Sequence, residues 1–264
     1  MRSLRYSVGV WKGETAMWTD VVDLNDFYRS ALGKTARRMI QQEIRRVWPD
    51  VRDDVVVGLG YATPYLKQFD GEAERLIAIM PAHQGVTRWP RGSSNRAALA
   101  DDSALPFPDM SIDRLLLVHA VENTEHLRAL MRECWRVLNG KGRLLVVAPA
   151  RRGLWSRSER TPFGHGKPFS RTQLQRLLRD GQFDPTHSSR ALYIPPARWS
   201  WLLHAAPAWE RVGKRFFATV GGVHLIEAQK QIYAVTPARK VRRVSRPRLL
   251  PLPQPVAGRA PLER

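Results

Sequence analysis

Residues 53–66 constrain the fold more than any other segment of the chain. Residues 55–57 are all valine, and this β-branched run is interrupted by Gly58 and Gly60. A Thr63-Pro64 pair follows, which suits the N-cap and the first turn of a helix. The segment therefore predicts a buried strand, a tight glycine turn and a helix, in that order.

The same alternation of strand and helix continues along the chain. Apolar runs predict further strands at 75–80, 96–100, 112–118 and 144–148. Helical spacing of apolar residues predicts helices over 25–47, 125–138 and 170–180, with Asn25 or Asp26 capping the first, Thr124 the second and Ser170 the third. Gly140 is expected to end the second of these helices. Two late strands are expected near 189–194 and 229–235, with helical material between them.

Near-continuous apolar strands that alternate with helices indicate a parallel sheet covered on both faces, which is the α/β class. The chain has 264 residues and is 43% hydrophobic, enough for one sizeable core. We expect a disordered N-terminal extension over 1–16 and one domain over 17–236. Residues 237–264 are rich in proline and arginine, and we expect a disordered basic tail there.

The formal net charge of +19 predicts contact with an acidic partner: a nucleic acid, an anionic membrane or another protein. The alternative is that the excess of arginine reflects genome composition. We find no separate RNA-binding signature. No phosphate-binding Gly-x-x-x-x-Gly-Lys motif and no Ser or Cys nucleophile motif occur.

The number of cysteines and the length of the apolar runs indicate where in the cell the protein is expected. Cys134 is the single cysteine, so no intramolecular disulfide can form. No apolar run is long enough to predict a membrane-spanning helix, and the N-terminus lacks the apolar core of a secretory signal. We therefore expect a cytoplasmic protein. The seven histidines and the cysteine show no metal-ligand spacing, so no metal is predicted.

The stretch from Asp101 to Ala148 carries a family resemblance. An acidic pair is followed by Leu-Pro-Phe-Pro-Asp, then Ser-Ile-Asp-Arg, then a strand that ends in His-Ala-Val-Glu-Asn. The helix 127–138, Asn-Gly-Lys-Gly-Arg and a further strand complete the pattern. This order resembles the class I S-adenosylmethionine-dependent methyltransferases related to ubiquinone-biosynthesis enzymes. The resemblance spans roughly residues 50–150 and implies a Rossmann-like fold with a mostly parallel, seven-stranded sheet.

The resemblance also implies roles for particular residues. The glycine-rich loop beside the methionine part of S-adenosylmethionine corresponds to Gly58, Gly60 and Ala62. Asp102, or Asp101, corresponds to the acid that binds the adenine amino group, with Ser103 and Ala104 along the ring. His119 and Val121 correspond to the end of the fourth strand, beneath the cofactor and facing the acceptor.

Two positions depart from the family pattern. Val56 stands where an acid usually precedes the first glycine, and Met80 stands where an acid usually binds both ribose hydroxyls. A carboxylate that accepts such hydrogen bonds contributes about 1.5–3 kcal/mol for each. Three functions therefore stay open: a methyltransferase for a small molecule or lipid, a degenerate methyltransferase that binds or regulates a partner, and an RNA methyltransferase.

A general base is needed only where the methyl acceptor must lose a proton. His119 is the candidate catalytic residue and Glu122 a second one, although both also suit ordinary structural roles at the end of a strand. Tyr61 follows the glycine turn and could cover the cofactor or pack in the core. His165 lies in a loop rich in glycine and proline that could contact the substrate.

Overall fold

The structure is a computed structural model that describes residues 20–197, 199, 205–216 and 220–231. The predicted N-terminal extension and basic tail lie outside these residues. The described part contains these strands: β1 Val55–Gly60, β2 Arg75–Pro81, β3 Ala97–Ala100, β4 Ile112–Val118, β5 Leu138–Pro149, β6 Phe183–Ala191 and β7 Val223–Lys230. Its helices are α1 Val21–Arg29, α2 Ala31–Val47, α3 Thr63–Leu66, α4 Leu127–Val137, α5 Arg171–Asp180 and α6 Ala206–Phe216.

The strands form one seven-stranded sheet in the order β3-β2-β1-β4-β5-β7-β6. Strands β1 to β5 pair in parallel, whereas β7 runs antiparallel to both of its neighbours, β5 and β6. The order reverses at β1, where β2 lies on one side and β4 on the other. This confirms the predicted mostly parallel, seven-stranded sheet.

Alternate residues of the strands pack on opposite faces of the sheet. Helices α1, α2 and α3 cover the face that carries Val56, Leu116 and Leu145. Helices α4 and α5 cover the face that carries Val57, Leu115 and Leu144. Both faces of the central strands are therefore buried, which explains why β1, β2, β4 and the last part of β5 read as near-continuous apolar runs.

The predicted helix over 25–47 is wrong as a single element. The first helix begins at Val21 with Asp20 as its N-cap, and it ends at Arg29. Ser30 has an extended backbone, and its hydroxyl accepts the Gly33 N–H to cap α2. A serine side chain that bonds to nearby backbone groups competes with the helix, and here it separates two helices.

Other predicted boundaries also shift. Thr63 is the first residue of α3 and not its cap, because Ala62 occupies that place. The second predicted helix begins at Leu127 and ends at Val137, so neither Thr124 nor Gly140 bounds it, and β5 starts directly at Leu138. Ser170 does cap α5, as predicted, through a capping box with Gln173.

The two late strands lie earlier in the chain than predicted. The strand expected near 189–194 begins at Phe183 and ends at Ala191, and the one expected near 229–235 begins at Val223. Strand β6 is at the edge of the sheet and mostly polar, so it has a weak apolar pattern. Strand β7 is interior, but Glu227 and Lys230 interrupt its apolar run while forming polar contacts in the folded chain.

We predict that His224, on β7, makes the free energy of unfolding sensitive to acid. Burial, together with the positive charges of Arg190 and Arg171, lowers the pKa of its imidazole from 6.5 to about 4. The unfolded chain takes up this proton first, so the stabilisation is complete above about pH 6.5 and is lost as the pH falls towards 4. We expect roughly 3 kcal/mol of unfolding free energy to be lost over this range.

Urea unfolding of the wild type and of His224→Gln at about pH 7 and pH 4 measures this loss. The carboxylates common to both proteins cancel in the comparison. We expect the variant to lose roughly 3 kcal/mol less than the wild type on acidification. Equal losses in the two proteins would show that His224 does not carry this acid sensitivity.

Candidate functional site

The predicted site residues lie together at the carboxyl-terminal end of the parallel strands. They occupy the carboxyl ends of four neighbouring parallel strands: Gly58, Gly60 and Ala62 at β1, Met80 at β2, Asp101, Asp102 and Ser103 after β3, and His119 after β4. The sheet order reverses at β1, and such a reversal is where open α/β sheets bind ligands. The topology therefore brings residues that are far apart in sequence together at the carboxyl ends of neighbouring strands.

Close packing explains both glycines of the turn after β1. Gly60 has a positive φ of 84°, and a Cβ there would lie 2.2 Å from the carbonyl oxygen of Val118. A Cβ on Gly58 would lie 2.6 Å from the Cβ of Ala62. The Tyr61 N–H donates to the Val118 carbonyl at 2.9 Å, which joins the turn to the end of β4. The turn thus requires glycine for its own geometry.

The residues at the carboxyl ends of β2 and β3 differ in polarity. Met80 is only 1% exposed, and its sulfur accepts the Thr87 N–H at 3.4 Å. Asp101 is exposed and accepts both the N–H and the hydroxyl of Ser103, hydrogen bonds that lower the pKa of its carboxyl. Asp102 is buried. The carboxyl end of β2 is therefore apolar, and an acidic turn follows β3.

His119 lies at the centre of a buried hydrogen-bond network. It has a positive φ of 53° and is 1% exposed. Its Nδ1 lies 3.2 Å from a Glu122 carboxylate oxygen, and its Nε2 lies 2.8 Å from the Tyr28 hydroxyl. The Tyr28 hydroxyl is also 2.7 Å from that of Tyr65. If Nδ1 carries the proton and donates to Glu122, Nε2 is the acceptor atom that faces Tyr28.

Three polar side chains around His119 each keep one buried oxygen without a hydrogen-bond partner. Gln84 and Asn123 both donate their amide N–H to the His119 carbonyl. The remaining amide oxygens, and the second carboxylate oxygen of Glu122, have no partner. Buried acceptors of this kind are costly when unsatisfied. All three belong to side chains that hydrogen-bond to His119, and a ligand that brings hydrogen-bond donors or positive charge would satisfy such oxygens.

Aromatic rings cover this network on the α1 side. Tyr28 stacks on Tyr61 with ring centroids 5.7 Å apart, and Phe163 lies 4.9 Å from the His119 ring. Burial raises the pKa of Tyr28 well above its usual value and that of Tyr61 to about 12, so both phenols stay protonated at neutral pH. Tyr61 is buried and packs in the core against Tyr28.

Sequence reasoning missed part of this arrangement. Tyr28, Tyr65, Gln84 and Asn123 were not singled out, although Tyr28 lies within the predicted first helix. His165, a candidate substrate contact, is exposed and bonds to the carbonyl of Glu159 in its own loop, 2.8 Å away. Its neighbour Gly166 packs against Glu122 and Asn123, so the loop reaches the network through backbone and not through the imidazole.

The fold is that of the Rossmann-like methyltransferases. A solved methyltransferase of Thermotoga maritima, described as a possible histamine N-methyltransferase, superposes with a TM-score of 0.57 at 15% identity, covering 80% of this chain and 96% of that one. The geranyl diphosphate C-methyltransferase of Streptomyces coelicolor, solved with S-adenosyl-L-homocysteine, gives 0.51 at 14% identity, over 73% of this chain and 78% of that one.

Sequence comparison finds a similarity over part of the chain. Residues 54–146 match the family model described as the methyltransferase domain. A probable S-adenosylmethionine-dependent methyltransferase of Mycobacterium tuberculosis is 34% identical over 99 residues. The match covers 37% of this chain and 35% of that relative, so it spans about a third of the relative's length. S-adenosylmethionine is the cofactor named for this relative.

The polar groups of the edge fit this cofactor in part. S-adenosylmethionine carries an ammonium, a sulfonium and an adenine amino group. These groups suit the buried acceptor oxygens of Gln84, Glu122 and Asn123 and the acidic turn at Asp101. The apolar Met80 offers no acceptor carboxylate for ribose hydroxyls, and Val56 is a fully buried core residue. Both positions that depart from the pattern are thus buried and apolar in the folded chain.

Two further observations concern metal ligands and apolar helices in the described residues. Within residues 20–197, 199, 205–216 and 220–231, no group of three or more His, Cys, Asp or Glu side chains is placed to hold a metal ion. None of the helices in those ranges is both long and apolar enough to cross a membrane.

Proposed function

We propose that the chain is an S-adenosylmethionine-dependent methyltransferase that acts on a small molecule or lipid. The observation that carries the proposal is the glycine turn at the sheet reversal, beside a buried cluster of unsatisfied acceptors, in a segment of the methyltransferase-domain family. When bound, S-adenosylmethionine supplies a methyl group on an already activated sulfonium, so alignment provides most of the rate.

We assign the cofactor-binding role to the residues at the four strand ends. Gly58, Gly60 and Ala62 let the methionine part approach the backbone, and Met80 packs against the ribose. Asp101 or Asp102, with Ser103, binds the adenine. The support for Asp101 is its exposure and its fixed turn; the support for Asp102 is its burial beside the same edge.

His119 is the candidate general base. Glu122 holds the imidazole through Nδ1, which leaves Nε2 as the atom that takes a proton from the acceptor. The Tyr28 hydroxyl lies 2.8 Å from that atom, so in this arrangement it occupies the position from which a proton arrives. An acceptor hydroxyl or amine must take the place of this phenol or exchange its proton through it.

The cofactor assignment predicts a measurable affinity. In calorimetric titration of the full chain with S-adenosylmethionine and S-adenosylhomocysteine, we expect binding in the micromolar range. Asp→Asn substitution at the adenine-binding acid removes a charge-assisted hydrogen bond, so affinity falls about tenfold to a hundredfold. Asp101→Asn and Asp102→Asn are compared, with Asp184→Asn as a control on the exposed face of β6.

One of the two acidic variants is expected to bind weakly, whereas Asp184→Asn binds like the wild type. Unchanged affinity in both acidic variants would remove the adenine assignment. A folded wild type that binds neither compound at millimolar concentration would contradict the proposed function.

The second candidate is a methyltransferase-like protein that binds a partner without transferring a methyl group. The specific observations that favour it are Met80 in place of a ribose-binding acid and the Tyr28–His119 hydrogen bond, which closes the site. Absence of cofactor binding in the titration would select this candidate over the first. An RNA methyltransferase, the third function that the sequence leaves open, is favoured by the net charge alone.

A further inference from the structure

A cavity lies beside the glycine turn, on the side of α1, α2 and α3. Its volume is about 390 Å³, and its walls include the loop between β2 and β3. Five cationic side chains line it, from Arg29, Arg37, Lys67, Arg88 and Arg91. The acid in its wall, Asp70, already pairs with Arg96 at 2.8 Å. We call this cavity the basic pocket.

Among the described residues, the five cations have no acidic partner of the kind that other arginines of the fold have. Arg45, Arg114 and Arg136 each form an ion pair at 2.8 Å or less. Across the described ranges, no ion pair involves any of the five side chains of the basic pocket. The Arg37 Nε is moreover buried without a hydrogen-bond partner. Like charges that converge in a concave site repel one another until an anion binds between them.

The walls of the basic pocket include uncharged, mostly ring-bearing side chains as well as cationic ones. Trp89 and Pro90, both half-buried, lie on one wall, and Tyr61 and Thr63 lie on another. Guanidinium groups bind phosphate oxygens in a bidentate manner, and indole or phenol rings pack against flat or apolar groups. A volume of about 390 Å³ is that of a site for a small organic ligand.

We propose that the basic pocket binds a small organic phosphate. The phosphate lies among the arginines, and the ring or apolar part packs against Trp89 and Tyr61. Tyr28 also lines the pocket and bonds to His119, so a single phenol ring separates the pocket from the candidate base. We assign this ligand as the methyl acceptor, and that part rests on the proposed function.

The test measures binding of phenyl phosphate and of inorganic phosphate to the full chain by calorimetry. Arg88→Ala/Arg91→Ala removes two charges from the pocket. Arg176→Ala/Arg179→Ala removes two charges from the exposed face of α5 and is the matched control. All proteins keep residues 232–264, so the basic C-terminal segment contributes equally to each. A further variant, Trp89→Ala, tests the ring contact.

We expect the wild type and the α5 control to bind phenyl phosphate equally, and the pocket variant to bind at least about tenfold more weakly. The wild type should prefer phenyl phosphate to inorganic phosphate, and Trp89→Ala should abolish this preference. Equal weakening in both double variants would mean generic electrostatic attraction and overturn the proposal, as would no binding by the wild type. A single-stranded RNA that binds through Arg88 and Arg91 while phenyl phosphate does not would also overturn it.

The two proposals can fail separately. If the pocket variant alone loses phenyl phosphate but the wild type binds no S-adenosylhomocysteine, the phosphate site stands and only its role as an acceptor site is lost. If S-adenosylhomocysteine binds and phenyl phosphate does not, the methyltransferase stands and the basic pocket is not its acceptor site.

Discussion

Gly60→Ala is expected to destabilise the fold by about 3 kcal/mol, whereas Gly71→Ala should cost only about 1 kcal/mol. Both glycines have a positive φ, 84° and 82°, so an alanine is strained by a similar amount at each. They differ in their surroundings. A Cβ at Gly71 meets nothing within 4 Å, whereas a Cβ at Gly60 lies 2.2 Å from the Val118 carbonyl oxygen. That carbonyl also accepts the Tyr61 N–H, so it cannot move without losing a hydrogen bond.

Urea unfolding of the two variants, followed by circular dichroism, gives the difference directly. The comparison with Gly71 subtracts the cost of the backbone conformation and leaves the cost of the close contact. If Gly60→Ala is as mild as Gly71→Ala, the ends of β1 and β4 do not approach each other as described.

Glu227→Ala is expected to cost about 3 kcal/mol, because this buried carboxylate on β7 joins three separate parts of the chain. One oxygen accepts the indole N–H of Trp48, at the end of α2, at 3.0 Å. The other oxygen accepts from Arg143 on β5 at 3.1 Å and from Thr186 on β6 at 2.9 Å. Removing the carboxylate leaves the Trp48 N–H buried without an acceptor and Arg143 without its counter-charge.

Glu74→Ala is the matched control, since Glu74 is exposed and lies 3.7 Å from Arg75, and its cost should stay within about 0.5 kcal/mol. A double-mutant cycle with Trp48→Phe isolates the buried hydrogen bond, and we expect a coupling of about 1 kcal/mol. A coupling near zero would show that the indole does not depend on Glu227.

The sequence predicts the first five strands because the central ones are buried on both faces. Val55–Gly60 and Ile112–Val118 read as apolar runs, so their patterns survive without knowledge of their neighbours. The edge strand Phe183–Ala191 is mostly polar and was misplaced. The break at Ser30 was missed because the apolar spacing continues across it, while the backbone follows the local capping bonds of the serine side chain.

The sequence predicts which residues belong to the candidate site, but it does not predict their contacts. Gly58 and Gly60 stand out because glycines after a β-branched run predict a tight turn. The hydrogen bond between the Tyr28 hydroxyl and His119 joins residues 91 positions apart, and no local pattern encodes it. Gln84 lies in a loop with no apolar period, yet it reaches the carbonyl of His119. Such contacts depend on the tertiary packing of α1 and of the β2–β3 loop.

The antiparallel placement of β7 has a consequence for synthesis of the chain on the ribosome. Strand β5 pairs with β4 on one side and with β7 on the other, and β7 begins only at Val223. Until the ribosome has released that segment, the apolar residues 144–148 form an open strand edge. Exposed apolar edges recruit other strands, so a nascent or truncated chain that stops before Val223 is prone to aggregation. The segment that matches the methyltransferase-domain model, residues 54–146, therefore does not supply its own closing strand.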